Sequence, residues 1–185
     1  MVAFWSCREE EPLTGNVNLG FSTDTVYFDT LLATLGSVTH HFQVYNPYNQ
    51  PIEIGEIYLA HGNDSYFRLN LDGKHGNRFT RVQIPAKDSL FMFVEATIDP
   101  LNANNPLLIK DSVIFESSGR AQDVKLIAYG QDVHIFNNEV FKSQSWNSEK
   151  PYLIVNSAAL DSSEVLRIGP GTQVFLTQNS SLVIW

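Results

Sequence analysis

VTHHFQVY, residues 38–45, shows the alternation of side chains that is typical of a β-strand. Successive side chains of a strand point to opposite faces, so Val38, His40, Phe42 and Val44 share one face. A helix would instead need apolar residues at three- and four-residue spacing, which this stretch lacks. We therefore predict a strand whose Phe42 and Val44 side chains face a hydrophobic core.

The residues that follow predict a turn and a second strand. Proline fixes φ and asparagine tolerates left-handed geometry, so NPYNQP at 46–51 is typical of a turn. The next stretch, IEIGEIYL at 52–59, alternates again and predicts a strand. Its inward side chains are expected to be Ile52, Ile54, Ile57 and Leu59.

Further apolar segments of the same period continue to Phe136. They predict strands at residues 25–29, 66–70, 81–84, 89–98, 110–116 and 121–136, the last being two strands or one strand bent around Gly130. Many short strands with a turn about every 8–12 residues are typical of an antiparallel sandwich. We therefore predict an all-β chain with an immunoglobulin-like β-sandwich at 21–136. Six phenylalanines are expected in its core: Phe28, Phe42, Phe67, Phe91, Phe93 and Phe115.

The pattern changes beyond Phe136. Residues 137–150 are polar and predict a connector, whereas residues 151–185 contain very short apolar segments. Within them, IGPGTQV at 168–174 resembles an element that is frequent in right-handed parallel β-helices. We expect residues 151–185 to be the start of a truncated β-helix of this type. One or two hairpins packed against the sandwich are the alternative.

Composition excludes two kinds of partner or placement. The 185-residue chain has a formal net charge of −8 and 12 Lys and Arg residues, so we expect no nucleic-acid partner, because clustered cations bind phosphates. No run approaches the roughly 18 apolar residues of a membrane-spanning helix. Any membrane attachment is therefore expected to come from a lipid.

The polar residues predict no metal site and no catalytic site. His40 and His41 are adjacent, but on a strand they point to opposite faces. Asn, Asp and Gly at 63–65 and 72–77 suit turn geometry better than a calcium loop. No motif of a serine hydrolase, zinc protease, phosphate loop or dinucleotide site occurs. We expect no catalytic residue, no metal and no cofactor.

Cys7 is the only cysteine of the chain, and its neighbours suggest a role for it. It follows Phe4-Trp5-Ser6 and precedes the charged run REEE at 8–11. This order resembles the lipobox of bacterial lipoproteins, which implies that the Cys7 sulfur carries a lipid. Residues 1–20 would then be a lipobox remnant and an acidic tether. A secretory signal needs a longer apolar segment, so we expect the true signal upstream of Met1.

Eight short groups of residues carry a wider resemblance, which extends from Phe21 to about Val133. They are Phe28-Asp29-Thr30, Gly36-Ser37-Val38, Asn46-Pro47, Asp88-Ser89, Asp99-Pro100, Asp111-Ser112, Gln122-Asp123-Val124 and Gly130-Gln131-Asp132. This stretch resembles an N-terminal module of cell-surface lipoproteins from Bacteroidetes-type bacteria. In such proteins the module follows a lipobox and precedes a right-handed parallel β-helix, the order predicted here. The resemblance implies a lipid-anchored protein exposed on the outer membrane, and it implies no reaction.

Four triplets of Asp, then Ser or Thr, then an apolar residue resemble the O-glycosylation sequon of exported proteins from the same bacteria. The resemblance implies modification at Thr25, Thr30, Ser89 and Ser112. The alternative is structural, since an Asp before a β-forming residue at the start of a strand gives the same triplet.

Together these features predict a non-enzymatic module that presents or binds a glycan or a protein partner, such as another envelope protein. The alternative is an enzyme, the N-terminal part of a β-helix polysaccharide lyase or hydrolase. In that case the catalytic residues would lie beyond residue 185.

Overall fold

The computed structural model describes residues 11–33, 35–98 and 107–185. Within them the chain is all-β, as predicted, with a single 3-10 turn at Gly62–Asp64. No helix in these ranges has the length and apolar character needed to cross a membrane. The chain divides into two compact units. The sandwich unit comprises described residues 11–29, 36–97 and 108–129, and the parallel unit comprises 30–33, 35, 98, 107 and 130–185.

The first ten strands form two five-stranded sheets, ordered β1-β3-β8-β5-β6 and β2-β10-β9-β4-β7. Neighbours such as β3 and β8, or β4 and β9, pair antiparallel. The strands are β1 (Gly20–Phe21), β2 (Thr25–Leu32), β3 (His40–Tyr45), β4 (Ile52–Leu59), β5 (Phe67–Leu71), β6 (Lys74–Gly76), β7 (Arg78–Ile84), β8 (Ser89–Ala96), β9 (Leu107–Ser117) and β10 (Arg120–Gln131).

The two sheets pack face to face, because aromatic side chains of one contact those of the other. The ring centroids of Phe42 on β3 and Phe115 on β9 are 6.2 Å apart, and those of Phe28 on β2 and Phe67 on β5 are 5.3 Å apart. All four side chains are buried. The prediction of an antiparallel sandwich is therefore confirmed, and the strand predicted at 52–59 has the observed bounds of β4.

The prediction that Phe91 and Phe93 lie in the core is wrong. Phe91 is 38% exposed and Phe93 is partly exposed, because β8 turns Leu90, Met92 and Val94 toward the opposite sheet. Side chains alternate along a strand, so the two phenylalanines lie on the outer face of their sheet. Val38 also differs from its prediction, since it precedes β3 and is exposed.

An irregularity between β4 and β7 changes which side chains of β4 face inward. Ile54 and Ile57 are both buried although they are an odd number of positions apart, so the alternation shifts between them. The register skips the position where Gly55 opposes Arg81, and Arg81 has a φ of +51°. A Cβ at Gly55 would lie 3.3 Å from the Glu116 carbonyl oxygen. Glycine at this position therefore allows the β4 backbone to approach the β9 backbone closely.

The last six strands belong to the parallel unit and pair in parallel. The pairs are β11 with β13, β12 with β14, β13 with β15, and β13 with β16. The strands are β11 (His134–Phe141), β12 (Gln144–Trp146), β13 (Tyr152–Leu160), β14 (Leu166–Ile168), β15 (Val174–Leu176) and β16 (Ser181–Ile184). Residues 137–150, predicted as a connector, therefore contain most of β11 and all of β12.

The registers of the parallel unit repeat at similar intervals along the chain. Tyr152 pairs with His134, which precedes it, and with Val174, which follows it. Trp146 pairs with Ile168 after a comparable interval. Register partners in this unit are therefore separated by about 20 residues of chain. Parallel neighbours require such long connections, because a tight hairpin joins only antiparallel strands.

Aromatic side chains form the core enclosed by these strands. Trp146 is 2% exposed and stacks on Tyr152, with ring centroids 4.4 Å apart and an interplanar angle of 13°. Phe136 and Phe141 lie 5.2 Å and 5.9 Å from the Trp146 ring. The predicted connector is therefore part of a packed core, with Trp146 as its largest buried side chain.

Candidate functional site

The outer face of the sheet that contains β3 and β8 carries exposed aromatic side chains. Phe91 and Phe93 project from β8, and His41 projects from the neighbouring strand β3. His41 is the cross-strand partner of Phe93. Their inward-facing neighbours in sequence are buried, which fixes the outward direction of all three. We call His41, Phe91 and Phe93 the aromatic face.

The three rings of the aromatic face contact one another. The centroids of Phe91 and Phe93 are 6.2 Å apart, and their planes are 24° from parallel. The His41 ring lies 5.9 Å from Phe91 and 5.8 Å from Phe93. Mutual contact holds each ring in place, which reduces the entropy lost when a ligand settles on them.

Polar groups surround the aromatic face. Gln43 opposes Phe91 in the register, and its Oε1 accepts a hydrogen bond from the Tyr45 hydroxyl. Asn70 on β5 opposes Phe93, and its Nδ2 lies 3.4 Å from the His75 Nε2. The Asn70 Oδ1 is buried and has no hydrogen-bond partner among the described residues. Buried polar atoms are nearly always partnered, so this oxygen is unusual, but its burial keeps it from a ligand on the sheet surface.

Apolar rings flanked by amide and hydroxyl groups can bind a ligand that has both kinds of surface. Exposed apolar clusters on soluble domains commonly mark interaction sites. A sugar ring combines C–H groups, which pack on an aromatic ring, with hydroxyl groups that need hydrogen-bond partners.

A second polar cluster surrounds Asp111 on β9, close to the end of β4. The Asp111 side chain is 2% exposed. Its carboxylate accepts hydrogen bonds from the Ser112 backbone N–H at 2.7 Å and from the Ser65 hydroxyl at 2.5 Å. Its Oδ1 also lies 3.0 Å from the His61 Nδ1. The Ser65 hydroxyl is buried and already donates to Asp111, so Asp111 acts here as a structural acceptor.

Electrostatics distinguish two other side chains of the sandwich unit. Burial, followed by the negative charge of Glu116, raises the pKa of Tyr58 above its ordinary value. The Tyr58 hydroxyl therefore stays protonated at neutral pH and can donate to the Glu116 carboxylate, 3.3 Å away. A hydrogen bond from Lys125 lowers the pKa of Asp123, with a smaller contribution from Ser112. Asp123 is therefore ionised and bound to its strand neighbours.

The residues that the sequence singled out for modification lie away from the aromatic face, except that Ser89 shares strand β8 with Phe91 and Phe93. Cys7 lies outside the described residues. Thr25 and Thr30 lie on β2, and Ser112 lies on β9. Ser89 begins β8 and opposes Tyr45 across the register. The structure does not group these four hydroxyl side chains.

The aspartates of two proposed sequons have local structural roles. The Asp88 Oδ1 accepts a hydrogen bond from the Ser89 backbone N–H at 2.8 Å. Asp111 makes the same contact to Ser112 at 2.7 Å. A carboxylate that binds the next backbone N–H satisfies a group that would otherwise need a partner. Asp-Ser pairs therefore occur at these positions for reasons of backbone geometry, whether or not the serine is modified.

The two adjacent histidines point to opposite faces of β3, as predicted, and the Asp72-Gly73 pair forms a turn. His40 packs inward against Phe28, with ring centroids 4.6 Å apart, whereas His41 faces outward. Asp72 and Gly73 both have positive φ, as a tight turn requires. Across the described ranges, no three His, Cys, Asp or Glu side chains are grouped as metal ligands.

Sequence reasoning missed the aromatic face, although the sequence holds a signal for it. The run LFMFV at 90–94 is apolar at every position. A strand with one solvated face normally alternates, so a continuous apolar run indicates that both of its faces are apolar. Because β8 belongs to an antiparallel sheet with one outer face, one apolar side of this run had to be exposed.

No family model matches the chain, and no curated protein matches it. Among solved structures, it is similar to the E. coli chaperone DraB, with 10% identity and a TM-score of 0.39, over 62% of this chain and 55% of that one. It is similar to a PapD-like domain of human CEP192, with 8% identity and a TM-score of 0.37, over 72% of this chain and 93% of that one. For a family 123 glycoside hydrolase from Clostridium perfringens, the identity is 9% and the TM-score 0.42, over 71% of this chain and 30% of that one. These likenesses are too weak to carry an argument about what the chain does.

Proposed function

We propose that the chain is a non-enzymatic binding module of a lipid-anchored bacterial surface protein, and that its sandwich unit binds a glycan on the aromatic face. The observation that carries this proposal is the contact of three rings on one outer sheet face, the exposed His41 and Phe91 and the partly exposed Phe93. The rings supply flat apolar surface for the C–H side of a sugar. The Gln43 side-chain amide and the Asn70 side-chain amide nitrogen supply hydrogen-bonding groups beside it.

The architectural part of the proposal is an immunoglobulin-like sandwich followed by the first rungs of a right-handed parallel β-helix. The parallel registers of Tyr152 with His134 and with Val174, which recur at similar intervals, support this reading of the parallel unit. The alternative of hairpins packed on the sandwich would give antiparallel pairs, unlike β12 and β14. A β-helix buries its apolar faces by stacking neighbouring rungs.

A disulfide test addresses the parallel register directly. Ser145 and Arg167 are register partners on β12 and β14. Parallel neighbours lie about 4.8 Å apart, within the range that a disulfide spans. In a Cys7→Ser background, the pair Ser145→Cys and Arg167→Cys should form an intramolecular disulfide under mild oxidation. The shifted pair Ser145→Cys and Gly169→Cys should form it far more slowly, and equal rates for both pairs would contradict this register.

The surface location is proposed from the sequence resemblance around Cys7. Expressed behind a lipoprotein signal sequence in a Bacteroidetes-type host, the protein should incorporate radiolabelled palmitate and partition into the outer membrane. The Cys7→Ser variant should lose the label and leave the membrane fraction. A Cys7→Ser protein that keeps the label would remove the anchor from the proposal.

Glycan binding is tested with soluble oligosaccharides on the purified chain. A panel of neutral tetrasaccharides with β-1,4-glucan, β-1,3-glucan, xylan and mannan linkages should contain at least one ligand measurable by calorimetry. Phe91→Ala should weaken its binding about fivefold, because an aromatic contact contributes about 1 kcal/mol beyond its buried area. Tyr129→Ala is the matched control, since Tyr129 is exposed on β10 in the opposite sheet.

Two results would contradict the proposed function. Equal losses for Phe91→Ala and Tyr129→Ala, or no binding across the panel, would remove the aromatic face as a glycan site. Catalytic release of new reducing ends from the same substrates would instead favour the enzyme alternative, a polysaccharide lyase or hydrolase.

A further inference from the structure

A cleft of about 410 Å³ opens in the sandwich unit where β4 ends and β7 begins. None of its lining residues belongs to the aromatic face, so it is a separate feature of the surface. The lining residues are Tyr58, Leu59, Ala60, His61, Gly62, Asn63, Asn77 and Arg78. A cleft of this size falls within the range of small-ligand sites.

The structure holds His61 in a defined orientation at this cleft. The His61 Nδ1 lies 3.0 Å from the Asp111 Oδ1, and the His61 backbone N–H donates to the same oxygen at 3.3 Å. Asp111 is buried and bound by Ser65 and Ser112, whereas the His61 side chain is 63% exposed. With Nδ1 directed at Asp111, the second ring nitrogen, Nε2, is a further hydrogen-bonding atom of His61. The buried carboxylate therefore fixes the orientation of an exposed imidazole ring at the cleft.

Arg78 also lines the cleft and supplies hydrogen-bond donors, and its charge is balanced. The Arg78 Nη2 donates to the Glu56 Oε2 at 2.7 Å, and the guanidinium lies over the Tyr58 ring at 5.1 Å from its centroid. A guanidinium has five N–H donors, so this contact leaves others available. Because Glu56 neutralises Arg78, the cleft offers donors without a net positive charge that would select an anion.

Two side-chain amides complete the polar lining. The Asn77 Nδ2 lies 3.5 Å from the Asn63 Oδ1, so the two amides share a weak contact and keep further capacity. Each amide offers both donors and an acceptor. Together with the His61 ring and the Arg78 donors, these amides place hydrogen-bond donors and acceptors within one small cleft. This balance matches hydroxyl groups, each of which donates and accepts.

We propose that this cleft binds a single neutral sugar residue through its hydroxyl groups. The inference rests on the proposed glycan-binding function and adds a second, monosaccharide-sized site to it. Its ligand class differs from that of the aromatic face in one respect. The face binds the apolar side of a sugar chain, whereas the cleft binds hydroxyl groups of one ring.

The test uses nuclear magnetic resonance on the full chain labelled with nitrogen-15. The probes are methyl β-D-glucoside, methyl β-D-galactoside and methyl α-D-mannoside, with D-glucuronate as the charged comparison. At least one neutral glycoside should saturably shift the side-chain amide signals of Asn63 and Asn77. Asn77→Ala and His61→Gln should each weaken that binding about fivefold. Gln83→Ala is the control, because Gln83 lies on the same strand as Arg78 but outside the cleft.

Three outcomes would overturn the inference: no neutral glycoside shifts these signals, Gln83→Ala weakens binding as much as Asn77→Ala, or glucuronate binds more tightly than every neutral probe. Phe91→Ala separates this inference from the proposed function. Cleft binding that survives in Phe91→Ala supports the cleft even if the tetrasaccharide experiment fails. Tetrasaccharide binding without any shift at Asn63 and Asn77 leaves the aromatic face and removes the cleft.

Discussion

Lys150 and Asp132 form a buried ion pair in the parallel unit. The Lys150 Nζ lies 2.8 Å from the Asp132 Oδ2, and the two side chains are 12% and 3% exposed. The Asp132 Oδ1 also accepts a hydrogen bond from the Val133 backbone N–H at 3.0 Å. Removing one partner leaves the other charge buried without compensation, which is costly in a weakly polar environment.

We therefore expect Lys150→Met to lower the free energy of unfolding by about 3 kcal/mol. Urea denaturation followed by near-ultraviolet circular dichroism measures this loss. The exposed pair of Lys125 and Asp123, at 2.9 Å, provides the control, and Lys125→Met should cost less than about 1 kcal/mol. Similar losses for the two variants would show that burial does not set the contribution of the Lys150 pair.

The same pair affects the titration of His134. Burial of the ring, and to a smaller extent the positive charge of Lys150, lowers the pKa of His134. The negative charge of Asp132 acts in the opposite direction. The folded chain then holds this proton less well than the unfolded chain. The contribution of His134 to stability is therefore complete above about pH 6.5 and is lost as the pH falls toward the lowered folded pKa.

Proton resonances of the His134 ring, followed by pH titration, should show a midpoint below about 6.5. Lys150→Gln should raise the pKa of His134, because it removes a repelling charge. Asp132→Asn should lower it further, because it removes an attracting one. A midpoint at or above the ordinary value, or shifts of the opposite sign in these variants, would contradict this account.

Asp111→Ala should destabilise the sandwich unit by about 3 kcal/mol, because it leaves the Ser65 hydroxyl and the Ser112 N–H without their acceptor. Thermal or urea unfolding measures the change. Asp88→Ala is a matched control, since Asp88 accepts from the next backbone N–H at 2.8 Å but is exposed. Asp88→Ala should lower the free energy of unfolding by less than about 1 kcal/mol. A loss equal to that of Asp111→Ala would show that burial does not strengthen the contribution of Asp111.

Arg81→Gly should leave stability unchanged or raise it by about 0.5 kcal/mol, because Arg81 has a φ of +51°, a conformation that costs a residue with a Cβ more than it costs glycine. Thr80→Gly, at the adjacent regular position that pairs with Glu56, should instead destabilise by about 1 kcal/mol. Chemical denaturation of both variants measures the free energies of unfolding. A larger loss of stability for Arg81→Gly than for Thr80→Gly would show that the Arg81 backbone is not strained.

Alternation predicted much of the sandwich because it reports directly on a half-buried strand. Strand β4 has its predicted bounds, and its four inward side chains are those expected from their apolar character. Strand β8 shows where the same reasoning stops. Phe91 and Phe93 are as apolar as Leu90 and Met92, so the sequence of this strand does not reveal which face is inside. That choice depends on the opposite sheet.

The parallel unit was harder to predict for a different physical reason. Strand β12 is very short, Gln144–Trp146, and a single large apolar side chain shows no periodicity. Its partner strand, Leu166–Ile168, is separated from it by all of β13, so no local turn marks the pairing. The candidate cleft was equally hidden, because His61 and Asp111 come together only through tertiary structure.

The spacing of partners in the two units has a consequence for synthesis on the ribosome. In the parallel unit, Tyr152 pairs with His134, which lies shortly before it in the sequence. In the sandwich, Val113 pairs with Leu59, and the separation along the chain is about three times as long. At about 5–20 residues per second, the first pair becomes available within a few seconds of chain growth. The second must wait several times longer, and until then β4 can pair with β7 on one edge while its other edge stays unpaired. We therefore expect the nascent sandwich, rather than the parallel unit, to be the main client of chaperones during translation.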